Sequence, residues 1–219
     1  MMDFLPPEKN CRLCARLCAF RAQNRQKFPS YHNAPVEPFG SLSAQILIVG
    51  LAPGLNGANQ TNRPFTNDYA GDVLYPILKK YGFAEGDYQK RKDDGFTLAN
   101  VRITNAVRCV PPQNKPLGEE EKNCRRFLAA EIAAMPNLKI ILSLGTVSHK
   151  NVLQALGLKA SFAKFAHGAL HRLPPVAEHP DGLILADSYH TSRYNINTGV
   201  LTFAMFEEII SNIKGLLNK

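Results

Sequence analysis

Long hydrophobic runs are missing from this 219-residue chain. No apolar stretch approaches the roughly 18 residues that cross a bilayer, which excludes a helical membrane span. No internal repeat or low-complexity tract occurs, which excludes solenoids, propellers and compositionally driven disorder. The opening segment MMDFLPPEKN has acidic residues and prolines but no apolar core of a secretion signal. A reduced, cytoplasmic setting is therefore expected, and a disulfide framework is not. Charge is also scarce, at 20% of residues, and acids fall short of bases, 18 against 26. The resulting net charge of +8 suggests a polyanionic partner, nucleic acid first. Hydrophobic content of 45% and this length suit one compact domain spanning 1–219.

Cysteine is what stands out among the residues present. Cys11 and Cys14 form a C-x2-C pair, Cys18 follows, and Cys109 and Cys124 make a looser second pair. Two clusters of soft thiolates brought together by a fold make a zinc or iron–sulfur site. Zinc sites generally use two short knuckles. The long spacing of the second pair and its helical context favour the cluster, with Cys18 a rival ligand.

Four apolar runs read as buried parallel strands: 45–50 (QILIVG), 101–107 (VRITNAV), 139–145 (KIILSLG) and 182–187 (GLILAD). Helical periodicity marks 72–80, 119–135 and 201–217, the last expected to bury Phe203, Phe206, Ile209, Ile210, Ile213 and Leu217. Cys124, Phe127, Leu128, Ile132 and Met135 share one stripe, so Cys124 points inward. Thr146 is expected to cap a short helix that Gly157 ends. Strand and helix in alternation predict a three-layer α/β/α sandwich around a mainly parallel four-stranded sheet. Residues 85–95 (EGDYQKRKDDG) read as an exposed charged loop. Residues 159–181 read as an irregular insertion with room for a hairpin.

Ligands of open α/β sheets bind beyond the carboxyl ends of the strands. There this chain places Gly50-Leu51-Ala52-Pro53-Gly54, then Phe65 and Asp68 in RPFTNDYAG, then Asn105, then His190 in SYHTSRYN. Singly these are ordinary: a tight turn, a helix cap, a satisfied polar residue. Together they bring an acid, a histidine, an amide and an aromatic ring to one edge of a basic protein.

With the cysteine spacing, the motifs GLAPG, RPFTNDYAG, ITNAVRCVPPQNKP and SYHTSRYN resemble the family 5 uracil-DNA glycosylases, over nearly the whole chain. Leu51 stands where the sister family 4 has an acid. The resemblance implies hydrolysis of the N-glycosidic bond of uracil in DNA, initiating base excision repair. Hypoxanthine, xanthine or ethenocytosine are possible further substrates. It implies a [4Fe–4S] cluster on Cys11, Cys14, Cys109 and Cys124 that ties down the N-terminal arm, with Cys18 a packed thiol. Asp68 would activate water or stabilise the cationic sugar, and His190 would donate to the base oxygen O2. Phe65 would stack on the flipped base and Asn105 read its edge. Gly50, Leu51, Ala52 and Gly54 would form the turn against it. Ser192, Arg193, Tyr194 and Asn195 would contact DNA beside the flipped nucleotide. A monomer is expected. The rival is an inactive iron–sulfur lesion sensor.

Overall fold

The computed structural model describes residues 4–217. Their strands are β1 (Ile46–Gly50), β2 (Ala84–Glu85), β3 (Thr97–Leu98), β4 (Val101–Asn105), β5 (Ile140–Leu144), β6 (Leu170–Leu173) and β7 (Leu183–Ser188). Their helices are α1 (Ala15–Lys27), α2 (Ala58–Thr61), α3 (Tyr69–Lys80), α4 (Gly118–Ala133), α5 (Thr146–Ala155), α6 (Arg193–Asn197) and α7 (Phe203–Leu217).

Side-chain alternation builds the layers. In β1, Ile46 and Ile48 enter the core beneath α3 and α7, while Leu47 and Val49 enter the one beneath α4 and α5. A strand covered on both faces must be apolar throughout, which explains the run ILIVG. β4 departs from this. Val101 and Ile103 join the first core, but Arg102 and Thr104 face α4, where both contact the buried Glu131.

The main sheet has the order β4-β1-β5-β7-β6. The first four strands are parallel, and β6 runs antiparallel to β7. The sandwich is as expected, but the sheet has five strands instead of four. The insertion at 159–181 supplies the extra one, because Leu170–Leu173 pairs with Leu183–Ala186 as a hairpin arm on the sheet edge. That strand's burial is irregular, so no clean alternation betrayed it.

Three local expectations change. Gly145, at φ +103°, occupies the cap position of α5, and Thr146 is its first helical residue. Phe203 is 50% exposed, since it opens α7 before the helix settles on the sheet. The charged 85–95 stretch carries one buried side chain, Asp94, for which the active edge supplies the reason.

Register levels the strand ends. Gly50 lies beside Asn105, and Leu144 beside Ser188. The loops that follow these residues emerge together on one edge.

Candidate active site and thiol cavity

A pocket at this edge is lined by Ala52, Pro53, Gly54, Ala58, Phe65, Asp68, Asn105 and His190. Four of these were singled out in the sequence as ring, acid, amide and imidazole. Gly50 and Leu51 lie behind the wall. A Cβ on Gly50 would come 2.4 Å from Asn105 Oδ1 and 2.7 Å from Phe65 Cζ, so glycine is what lets both side chains occupy the floor. Leu51 contributes backbone, its carbonyl accepting from Val107 N–H at 3.0 Å.

Asp68 is exposed and is the N-cap of α3: its Oδ1 accepts from Ala70 N–H at 3.3 Å. The residue is therefore a helix cap that also lines the pocket. A Cβ on Gly54 would sit 3.1 Å from Oδ2. The second oxygen thus faces the Gly54 turn and the pocket. The Phe65 and His190 rings stand 5.9 Å apart with 29° between their planes. Burial lowers the His190 pKa from its ordinary value, with Asp68 pulling the other way. The imidazole is accordingly neutral at neutral pH, where it can still donate one N–H.

The loop carrying Phe65 and Asp68 is held from behind, by residues whose role was not legible in the sequence. Phe65 and Asn67 have φ of +56° and +58°, a left-handed backbone that non-glycine residues hold only under constraint. Arg63 supplies one constraint. Its Nε donates to Thr66 Oγ1 at 2.7 Å, and its other nitrogens grip Asp94 at 2.7 and 2.8 Å. Burial works against the Asp94 carboxylate, but Arg63 and the N–H groups of Gln89 and Phe96 hold its pKa well below the usual carboxylate range. Tyr88 supplies another: its hydroxyl donates to Phe65 O at 3.3 Å and accepts from Asn67 N–H at 3.1 Å. Tyr75 donates to Pro64 O. Gly71 passes so close that a Cβ there would lie 1.8 Å from Phe65 O.

The His190 loop is braced likewise. Thr191 Oγ1 donates to Ala70 O at 3.3 Å, linking it to the start of α3. Ser192 caps α6 through Asn195 N–H, and Asn195 Nδ2 donates to His190 O at 2.8 Å. Ser192 and Asn195 thus shape the loop, while Arg193, stacked over Tyr69 at 5.2 Å, and Tyr194, 73% exposed, reach outward. Upstream on β7 the buried Asp187 accepts from Ser143 at 2.7 Å and meets His149 Nδ1 at 2.8 Å and His171 Nε2 at 3.1 Å. These three groups could hold a metal by proximity, but both histidines are hydrogen-bonded to Asp187 and anchor the strand that leads to His190.

The cysteines converge on a separate apolar cavity. Cys11, Cys14, Cys18, Cys109 and Cys124 line it with Leu17, Val107 and Phe127. Cys124 does sit on the buried stripe of α4. Among the described residues, only His149, His171 and Asp187 bring three ligand atoms within 4.8 Å of one another, so no three cysteine sulfurs approach that closely. A tetrahedral zinc, with Zn–S of about 2.3 Å, would draw its sulfurs to about 3.8 Å apart. Thiols set wider around a shared void suit a larger inorganic core. N–H groups already point at four sulfurs: Arg21 Nη1 at Cys109 (3.7 Å), Arg21 Nη2 at Cys18 (3.6 Å), Asn123 Nδ2 at Cys14 (3.7 Å) and Arg108 N at Cys124 (3.3 Å). Cys18 donates to Cys11 O at 3.2 Å. Burial pushes the Cys109 thiol up to about 12 and Cys124 to about 11. Binding a metal core there must displace protons.

Residues 37–214 match a family model described as the uracil DNA glycosylase superfamily. A type-5 uracil-DNA glycosylase of Thermus thermophilus is 40% identical over 211 residues, covering 94% of this chain and 93% of the relative. One from Pyrobaculum aerophilum is 36% identical, covering 95% and 89%. A type-4 uracil-DNA glycosylase of P. aerophilum is 32% identical over 141 residues, covering 63% and 64%.

Proposed function

The chain belongs to the uracil DNA glycosylase superfamily, within its type-5 group, and on that premise we propose that it excises uracil from DNA by hydrolysing the N-glycosidic bond. The observation that carries this reading is the meeting of Phe65, Asn105, Asp68 and His190 in one pocket. The relatives bear enzyme names, so the inactive-sensor alternative finds no support.

The chemistry follows from each group. A base acted on in duplex DNA must leave the stack and enter a pocket. Phe65 offers it a stacking face. The Asn105 amide, one donor and one acceptor, complements uracil O4 and N3–H. As the bond breaks, positive charge grows on the sugar and negative charge on the base. Asp68, through the oxygen its capping bond leaves free, stabilises the first and accepts a proton from water. His190 donates to O2, and a neutral imidazole does so without first having to be charged. Leu51 has no ionisable group, so Asp68 stands as the acid of the pocket. Arg193 and Tyr194 are the outward residues for phosphate contact and for a wedge beside the flipped nucleotide. Ser192 and Asn195 act behind them by shaping the loop. Other deaminated bases that present a similar edge are candidate substrates. The enzyme acts as a monomer in the cytoplasm.

The second part of the proposal is a structural [4Fe–4S] cluster on Cys11, Cys14, Cys109 and Cys124, tying the N-terminal arm to α4. Its support is the thiol spacing, the apolar void and the N–H donors aimed at sulfur. Hydrolysis needs no redox step, so the cluster's contribution is cross-linking.

Single-turnover assays on a uracil-containing duplex test the first part. Asp68→Asn keeps a good helix cap and is expected to lose about 10²–10⁴-fold in rate while still binding duplex. An unchanged rate would remove Asp68 from the mechanism.

A further inference from the structure

Arg108 is 1% exposed, and among the described residues its Nε and Nη1 are buried without a hydrogen-bond partner. Its Nη2 contacts Glu131, which is also held by Arg102 Nε at 2.6 Å. Among the described residues, two arginines on one glutamate leave a surplus of one positive charge. The Phe4 ring lies 6.0 Å from the Arg108 guanidinium and offers only a cation–π contact. Arg21, 6% exposed, carries a second surplus charge. Its guanidinium contacts among the described residues are Cys11 O at 2.7 Å, Cys18 Sγ at 3.6 Å and Cys109 Sγ at 3.7 Å, with no carboxylate among them. Both arginines line the thiol cavity.

Buried charges in proteins are paired, because an unpaired one forfeits its hydration with nothing in return. The partner these two lack is an anion in the cavity. An oxidised [4Fe–4S] core on four thiolates carries a formal charge of two minus, which the two surplus cations balance. A structural zinc on four thiolates would carry the same charge, but among the described residues no three of the sulfurs lie within 4.8 Å of one another, whereas zinc would hold them at about 3.8 Å.

We infer that Arg108 and Arg21 are the charge partners of the bound cluster, positioned to neutralise it and to set its reduction potential. The inference rests on the cluster reading above. Cations beside a cluster favour the reduced, more negative state, so removing one moves the potential negative. Arg108 also joins the cavity to β4 through Glu131 and Arg102, on the strand that ends at Asn105.

The test uses purified full-length protein: wild type, Arg108→Met, Arg108→Lys, Arg21→Met and Arg21→Lys. Iron and sulfide per chain, absorption at about 400 nm and the midpoint potential are measured for each. The Met variants are expected to show a more negative midpoint and the Lys variants to recover most of the shift. If Arg108→Met loses its iron, retention by Arg108→Lys carries the same conclusion, and if it fails to fold the Arg21 pair decides. Iron-loaded Met variants with the wild-type potential would overturn the inference. Wild-type protein free of iron and of that absorption would instead overturn the cluster reading beneath it.

Discussion

At the scale of single residues, the pocket sets a carboxyl group and a buried imidazole around one space. His190 has its pKa lowered by burial, against the opposing pull of Asp68. If the neutral imidazole is the competent donor, the single-turnover rate should be flat near neutrality and fall on the acid side, below the ordinary histidine value of about 6.5. Stability carries the same sign. The unfolded chain binds the proton at higher pH than the folded one, so folding gains as pH rises through that window and loses as it falls. His190→Asn is expected to slow excision and to flatten the acid limb. A pH–rate profile whose acid limb survives in His190→Asn would assign that limb to another group.

At the scale of elements, the pocket loop carrying Phe65 and Asp68 is held in shape from outside itself. Phe65 and Asn67 stay in left-handed backbone because Tyr88, Arg63 and Tyr75 surround them. Tyr88→Phe removes both hydroxyl contacts and little volume. It should lower the excision rate with only about 1 kcal/mol lost in stability, measured by single-turnover kinetics beside a urea melt. Asp94→Ala strands the buried Arg63 and should cost about 3–5 kcal/mol, read from the same melt. A Tyr88→Phe enzyme at full rate would show that the loop keeps its form without that hydroxyl. This layer also shows where sequence reading stops. Phe65, Asp68, Asn105 and His190 were legible because they stand in recognisable motifs at or just beyond the carboxyl ends of strands or in the loop that leads into α3. Asp94 was not, because a charged run looks solvated until the arginine that buries one member of it is known. Asn195 shows a second use that its type did not announce: its amide nitrogen braces the loop through His190 O. The strand Leu170–Leu173 was hidden because its edge position frees it from alternation.

At the scale of the whole molecule, the thiol cavity spans α1, α4 and the turn after β4, so whatever occupies it fastens the N-terminal arm to the body. Removing iron with a chelator under reducing conditions should loosen residues 4–27. Limited proteolysis and hydrogen exchange would detect that release. Equal protection with and without iron would leave the cluster with no structural task. The sheet imposes a wider condition. Gly50 beside Asn105 and Leu144 beside Ser188 bring distant crossovers to one level. Asp68, Asn105 and His190 each belong to a different crossover, and their contacts are non-local. Such pairing raises contact order and slows folding, since loops must close before the contacts that reward them form. No fragment lacking one crossover can hold the pocket. Recovery of excision during refolding is therefore a clock for the last strand to dock.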